Sequence, residues 1–521
     1  MKILLFILCF IPVFGCHSQK VQRPNIVFFL VDDHALKALS AYEGSLIETP
    51  NLDRIANKGM RFDAACVTNA ICAPSRTVIL TGTHSHINGV IDNGSRFDTA
   101  QPTFPLLMQE AGYQTALIGK WHLKSDPVGF DYWEILIGQG QYYAPEFIRS
   151  MNGSEPEKNS LSGYCTDVTT DLTIDWLTDK RNPNKPFLLL CHHKAPHRSW
   201  LPGPNQLQLF KDTQFPEPET LFDDWKGRSS AASTQEMTIK DHMYMWHDLM
   251  VPPREADAEL EGPDKWAEGM LARMNDAQQK AWDETFDPPN KTFYESNLQG
   301  DDLVRWKYQR YMQNYLRCIK GIDENVGRLL DWLEENNLAD NTIVVYTSDQ
   351  GFFLGEHGWY DKRFMYEPCL RIPLLISWPN VTQHGSKTDL LVQNLDLAPT
   401  LLDAAGISVP EHMQGDSLVP ILKGDTPQWR DSIYYHYYEY PGAHQVQKHE
   451  GVRTDRYKLI SYYDIGEWEL FDFQTDPQEV DNLYDNPTYA MIQQDLEEAL
   501  EKLKQQYNVP ARTETVSSAH D

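Results

Sequence analysis

Cys72 stands two residues ahead of Pro74-Ser75-Arg76 in the stretch CAPSRTVILTG, and the pattern marks a helix start. Pro74 suits a first helical turn and Gly82 a stop. A thiol there sits in the positive field of a helix N-terminus, where anions are favoured. Either it is a small buried hydrophobe beside a cap, or it is raw material for a catalyst. Asp32, Asp33 and Asp349 offer acceptor-only oxygens, and Gln350 adds a neutral carbonyl. Three carboxylates brought together repel one another unless a cation lies between them. A hard ion, Ca²⁺ ahead of Mg²⁺, suits such oxygen donors better than Zn²⁺ does. Arg76, Lys120, His122, His197 and Lys362 form the cationic complement. A metal with several cations at one edge suits a tetrahedral oxyanion, sulfate or phosphate. Singly these signals are weak, because paired acids are common in loops and most histidines are structural.

The elements that must position them are legible as apolar runs ending in polar groups. NIVFFLVDD closes on Asp32-Asp33, TALIGKWHL on Lys120 and His122, PFLLLCHHKAPH on Lys194 and His197, and NTIVVYTSDQG on Asp349-Gln350. Continuous apolar runs read as strands buried on both faces of a parallel sheet. Helical patterns lie between them: TPNLDRIANKGM, TFPLLMQEAGY, DVTTDLTIDWLTD and a long amphipathic stretch from Asp301 to Leu338. The alternation predicts an α/β fold, a large mostly parallel sheet with helices on both faces. Ligands in such sheets sit at the carboxyl ends of the strands, and all four runs deliver their polar groups there. Residues from about 202 to 300 are polar, acidic and contain DPPNKTFYES, which predicts an insertion of loops and short helices over the site. After about residue 430, SIYYHYYEY, GVRTDRYKLISYY and WELFDF predict a smaller antiparallel sheet with a C-terminal helix.

The chain of 521 residues carries a net charge of −28, which excludes nucleic acid as a partner and requires any anionic substrate to be held by local cations. At 41% hydrophobic, with 14 Trp, 25 Tyr and 21 Phe, it can bury a large core. MKILLFILCFIPVFGC is too short for a membrane span and reads as an export signal over residues 1–15. Its end resembles a bacterial lipobox, with Phe14 where a small residue is usual, so Cys16 is expected to carry a lipid. The expected location is the periplasm or the outer membrane, with the lipid as the sole membrane contact. Residues 16–24 read as a tether, 25–429 as the catalytic domain and 430–521 as the C-terminal subdomain. Six further cysteines are too widely spaced for a metal motif or a dense disulfide framework.

CAPSRTVILTG resembles the signature of the type I, formylglycine-dependent sulfatases. The resemblance extends in order through VDDH, GKWHL, HHKAPH and SDQGFFLGEHGWYDKR, over nearly all of the mature chain. It implies an alkaline-phosphatase-like fold and hydrolysis of sulfate esters by a formylglycine made from Cys72. A formylglycine-generating or anaerobic sulfatase-maturing enzyme is then an implied partner. The resemblance further implies that Asp32, Asp33, Asp349, Gln350 and the modified Cys72 hold a calcium ion. Gln350 replaces the asparagine of many members and keeps an amide oxygen. Arg76 would orient the formylglycine. Lys120, His197 and Lys362 would hold the sulfate, with His197 protonating the leaving oxygen and His122 acting as the base that regenerates the aldehyde.

The run GFFLGEHGWYDKRFMYE and the aromatic C-terminal region resemble the carbohydrate sulfatases of polysaccharide-degrading bacteria, nearest the N-acetylglucosamine-6-sulfatase-like and mucin-desulfating branch. Asp361 and Arg363 flank Lys362 and are expected to meet sugar hydroxyls. His444 and His449 are expected to close the pocket. The expected substrate is a sulfated glycan attacked from its end. Iduronate 2-sulfate, an algal polysaccharide such as ulvan, and a phosphate or phosphonate ester are the alternatives.

Overall fold

Seven consecutive buried residues form the central strand of the protein, Asn25–Val31, and explain why its neighbours on both sides are parallel. The computed structural model describes residues 23–255 and 258–511. The expected signal, the Cys16 lipid site and most of the tether lie outside the described residues. The main sheet has ten strands: β1 (Asn25–Val31), β2 (Met60–Phe62), β3 (Gln114–Gly119), β4 (Tyr132–Leu136), β5 (Glu146–Met151), β6 (Glu157–Ser160), β7 (Phe187–His192), β8 (Thr342–Ser348), β9 (Leu374–Ser377) and β10 (Ser386–Thr388). Their spatial order is β10-β2-β9-β8-β1-β7-β3-β4-β5-β6. The run β8-β1-β7-β3-β4 is parallel throughout, whereas β9 and β5 pair antiparallel with their neighbours. The four strands expected to end in site residues are therefore adjacent, in the order β8, β1, β7, β3. Gly119 ends β3 at φ +108°, and a Cβ there would collide with the His192 carbonyl of β7. Only glycine lets the two strand ends close up.

Helices cover both faces, as the alternation of patterns requires. The helix α1 (Cys72–Thr81) is buried along its whole length and stops at Gly82, φ +64°. The long amphipathic stretch forms one 36-residue helix, α2 (Gly300–Glu335). The insertion departs from the expectation of loops and short helices, because Asp276–Ser296 is a 21-residue helix that runs through Pro288 and Pro289. An Asn275/Gln278 capping box starts it, and Trp282, Phe286 and Asn290, spaced four apart, are buried along one side. That packing holds both halves in line despite the two missing N–H donors.

The C-terminal sheet is antiparallel, with strands β11 (Ser432–Tyr437), β12 (His449–Thr454), β13 (Tyr457–Tyr462) and β14 (Glu467–Asp472) in sequential order. The helix Ala490–Gln506 packs Leu496, Leu500 and Leu503 onto Tyr434, Val452, Leu459 and Leu470. The six cysteines within the described residues are all free and buried.

Candidate active site

The loops leaving β1, β8, β7 and β3 bring the expected acids and bases into one buried cluster. Asp32, Asp33 and Asp349 are fully buried and offer oxygens within 4.8 Å of one another. Asp32, Cys72 and His197 form a second such group. Burial pushes the Asp349 carboxyl up to about 8, with the Asp32 charge adding to it. Burial likewise lifts Asp33 to about 6, against the pull of Lys362 and with help from Asp32. Asp32 resists burial because Lys120, His197 and Arg76 hold it well below the usual carboxylate range. Three carboxylates in this setting cannot all be ionised cheaply unless a cation joins them. Gln350 turns its amide nitrogen toward Asp33 and Cys72, which leaves its buried Oε1 without a donor. That orphaned acceptor and an all-oxygen carboxylate set fit a hard divalent cation.

Two lysines lie against the acids. Lys120 Nζ contacts Asp32, and Lys362 Nζ lies 2.6 Å from both Asp33 oxygens. Cys72 opens α1, and its Sγ lies 3.4 Å from Asp32 Oδ1. Burial, then Asp32, pushes its thiol up to about 12. The sulfur is therefore a poor nucleophile at neutral pH, and chemistry at this position needs another functional group. Arg76, one turn along α1, donates from Nε to Asp349 at 3.0 Å and from Nη1 to the Lys120 carbonyl at 3.0 Å. Its Nη2 is buried without a hydrogen-bond partner.

The histidines are neutral for stated reasons. Burial and Lys120 push His122 down to about 2. Its Nε2 lies 3.0 Å from the Gln139 amide nitrogen, which donates to it, and its backbone is left-handed at φ +63°. His197 is lowered well below its ordinary value by burial and by Lys120. Its Nδ1 donates to the Arg198 carbonyl at 2.5 Å, so Nε2 is the free nitrogen.

A rim of charged side chains adjoins this cluster. Arg363 Nη1 pairs with Asp361, and His444 Nε2 lies 3.3 Å from Asp361 Oδ2. Asp361, Arg363 and His444 all have positive φ, at +74°, +102° and +64°. Such backbones persist only where surrounding contacts hold them. For Arg363 the contacts are explicit: its N–H donates to Cys369 Sγ at 3.0 Å, and Tyr435 Oη of β11 donates to its carbonyl at 2.5 Å. Tyr435 Oη also accepts from the Ala70 N–H at 3.2 Å, so it links this segment to the Cys72 loop.

Sequence reasoning missed Arg198 and Asp248, and placed Lys194 at a strand end without giving it a role. Arg198 is held by Asp248 through two bonds of 2.7 Å, and its Nη1 lies 3.4 Å from His444 Nε2. Asp248 comes from the insertion, where no motif marks it. Lys194 is buried with its Nζ over the face of Tyr142 at 4.8 Å, and burial together with Lys120 lowers it to about 8. Its place next to His197 after β7 was the available signal. His449 belongs elsewhere: it opens β12, is fully buried, and accepts the Met365 N–H at 3.1 Å. It is a core residue of the C-terminal sheet, not a pocket lid. A cavity of about 450 Å³ lined by Lys37, Glu217, Glu356 and Glu479 contains none of the cluster described above.

The chain matches the sulfatase family over residues 24–407, and the N-sulphoglucosamine sulphohydrolase C-terminal family over residues 355–506. It is 48% identical over 509 residues to an N-acetylglucosamine-6-O-sulfatase of Bacteroides thetaiotaomicron, covering 96% of this chain and 90% of the relative. Human N-acetylglucosamine-6-sulfatase is 28% identical, covering 82% of this chain and 69% of that protein. A solved structure of a protein in complex with its substrate, D-glucosamine-2-N,6-O-disulfate, superposes with a TM-score of 0.89 at 47% identity, covering 94% of this chain and 98% of that one.

Proposed function

The chain belongs to the sulfatase family, and from that premise we propose that it removes the 6-O-sulfate of a glucosamine unit at the end of a sulfated glycan. The observation that carries this reading is the 48% identity, over 96% of the chain, to an N-acetylglucosamine-6-O-sulfatase. The Asp361–Arg363–His444 rim beside the cationic cluster supports it, because it offers hydroxyl-binding groups next to an oxyanion site.

The catalytic division of labour in this reading is the one the family resemblance implies, and the geometry is consistent with it. A bound divalent cation, calcium in this reading, would supply the charge that reconciles the acids and Lewis-acid help to the sulfate, and formylglycine derived from Cys72 would supply the hydrated aldehyde as nucleophile. Asp32, Asp33, Asp349 and Gln350 hold the cation. Lys120 and Lys362 turn from the carboxylates to the sulfate oxygens once the acids have the cation. Arg76, fixed by Asp349 and the Lys120 carbonyl, keeps its unpartnered Nη2 in the cluster and orients position 72. His197 presents Nε2 to the bridging oxygen. Its neutral state in the protein alone is reversed by the anionic sulfate beside it, which raises its proton affinity and lets it donate to the leaving alcohol. His122, neutral in the protein alone, is in this reading the base at the end of the cycle, once anionic sulfate beside it offsets the burial and the Lys120 charge that lower its proton affinity.

The reading extends to setting. The N-terminal run and Cys16 support export and a lipid tether, so the substrate is met outside the cytoplasm, after maturation of Cys72 by a formylglycine-generating or anaerobic sulfatase-maturing enzyme. The test is sulfate release by the matured chain from sugars that differ in sulfate position. N-acetylglucosamine-6-O-sulfate should be preferred over a uronate 2-O-sulfate, an ulvan oligosaccharide and a phosphate monoester by about 100-fold or more in kcat/KM. Preference for any of the other three overturns the assignment. Rapid release from internal units of an intact polymer overturns its exo character.

A further inference from the structure

The insertion contributes a short helix, Asp264–Leu271, that is tied to the rim of the site at three points. Asp264 Oδ1 accepts from the backbone N–H groups of Trp246 and His247 at 3.1 and 2.7 Å, immediately before Asp248, the partner of Arg198. Gly262, in the turn entering the helix, packs so closely on Tyr244 that a Cβ would clash with the ring. Tyr244 in turn faces the Arg198 guanidinium at 5.7 Å. Near the other end, Met270 Sδ accepts from Ser199 Oγ at 3.4 Å, two residues beyond His197. The helix is about 12 Å long, so all of it lies close to the loop that carries the proposed proton donor.

Trp266 stands one turn before Met270, at the i, i+4 spacing that makes neighbours on a helix surface. It is 65% exposed, whereas Ala267 is buried and Met270 and Leu271 pack inward. Among the described residues no ring or cation stacks on its indole, in contrast to exposed Phe222, which Arg305 covers at 4.6 Å. Its neighbours Lys265, Glu268 and Gly269 are exposed and not apolar, so there is no hydrophobic patch of the kind that docks a protein or a membrane. A single bare indole on a helix tied to the rim of a polar site has the chemistry to stack on the apolar face of a pyranose ring.

We propose that Trp266 is the platform of an outer sugar subsite, taking the ring of the monosaccharide joined to the sulfated unit. This rests on the sulfated-glucosamine reading above and deepens it. Charge gives such a subsite no net attraction for a second sulfate. The chain carries −28 overall, Lys265 and Glu268 beside Trp266 carry opposite charges, and Arg198 of the rim is spent on Asp248. A second sugar is therefore held by ring contact and not by added cations, so its own sulfation pattern matters little.

The experiment compares Trp266→Ala and Trp266→Phe with the unaltered matured enzyme on two substrates. One is N-acetylglucosamine-6-O-sulfate as a monosaccharide, and the other a tetrasaccharide carrying the same sulfated unit at its non-reducing end. Turnover of the monosaccharide tests the proposed function, and the ratio between substrates tests Trp266. Trp266→Ala should lower kcat/KM on the tetrasaccharide by about 10-fold, equal to about 1.4 kcal/mol, mainly through KM. The monosaccharide should stay within about 2-fold, and Trp266→Phe should restore much of the loss. Titration of the tetrasaccharide into Cys72→Ala protein gives the same ratio without turnover, and there the Trp266→Ala change should weaken binding by a similar factor. An equal loss on both substrates would assign Trp266 to the fold. An unchanged tetrasaccharide value in both assays would remove the subsite.

Discussion

The strand-end cluster and the rim beside it are built by different means. In the cluster Cys72 and Arg76 come from α1 and Lys362 from its own segment, and every other side chain is set by backbone one to five residues past a buried strand: Asp32 and Asp33 after β1, Asp349 and Gln350 after β8, Lys120 and His122 after β3, His197 after β7. The rim is set by side chains holding side chains, in the sequence Asp248–Arg198–His444–Asp361–Arg363, drawn from the insertion, the β7 loop, the C-terminal region and the Lys362 segment. The sheet cannot move one acid of the cluster without disturbing a packed strand. The rim can be rewired by changing a loop.

The largest effects should come from the cluster. Cys72→Ala removes the position that chemistry requires, and Asp33→Ala removes the partner of Lys362 and a proposed cation ligand. Each should abolish sulfate release, by about 10⁴-fold or more, on sugar sulfates and on a small aryl sulfate alike. If either variant distinguishes the two substrates, the separation between cluster and rim is wrong.

Rim changes should be smaller and selective. Asp361→Ala and Arg363→Ala should lower kcat/KM on the sugar sulfate by about 100-fold, and Asp248→Ala, which reaches the rim through Arg198, by about 10-fold. The aryl sulfate, which has no sugar hydroxyls, should be affected much less. Equal losses on both substrates would move these residues into the sulfate subsite or the fold.

The smallest effect is on stability, and its sign is set by the raised acids. Asp33 and Asp349 are lifted to about 6 and about 8, chiefly by burial, so the fold holds protons there that the unfolded chain has released above pH 4. The stability they lend is present at low pH and is lost as pH rises through those values. Below about pH 7 the buried neutral histidines, His122 and His197 among them, work in the opposite direction, so the window is above it: chelated protein should show a Tm that falls between about pH 7 and pH 8 as Asp349 gives up its proton, and added calcium should raise it most at the upper end. A chelated protein with a flat profile would mean that the acids are reconciled by Lys120 and Lys362 without a cation.

Much of this was legible in the chain. Each buried parallel strand is an unbroken apolar run, so its last residue and the polar groups after it can be read directly. The motif around Cys72 then fixes the chemistry. The rim was less legible because ion pairs between distant segments leave no period: Asp248 lies 50 residues from Arg198 in a stretch without a motif. His444 lies beside Asp361 in the rim, but His449 is not a lid. Five residues apart on one aromatic stretch, one lies in the turn and the other faces into the sheet against Tyr435 and Phe364. The prolines at 288 and 289 hid a helix because burial of Trp282, Phe286 and Asn290 outweighs a local preference.

Tyr435 gives the molecule an order in time. One hydroxyl on β11 holds both the Arg363 carbonyl and the Ala70 N–H, so residues far apart along the chain meet at one atom. A polypeptide emerging from its N-terminus has made Cys72 long before it has made the residue that locks the loop beside it. Contacts of such long sequence separation form late. The thiol, fully enclosed in the finished protein, therefore spends the interval before chain completion within reach of whatever must act on it, and a chain cut short of the C-terminal sheet would never close that interval.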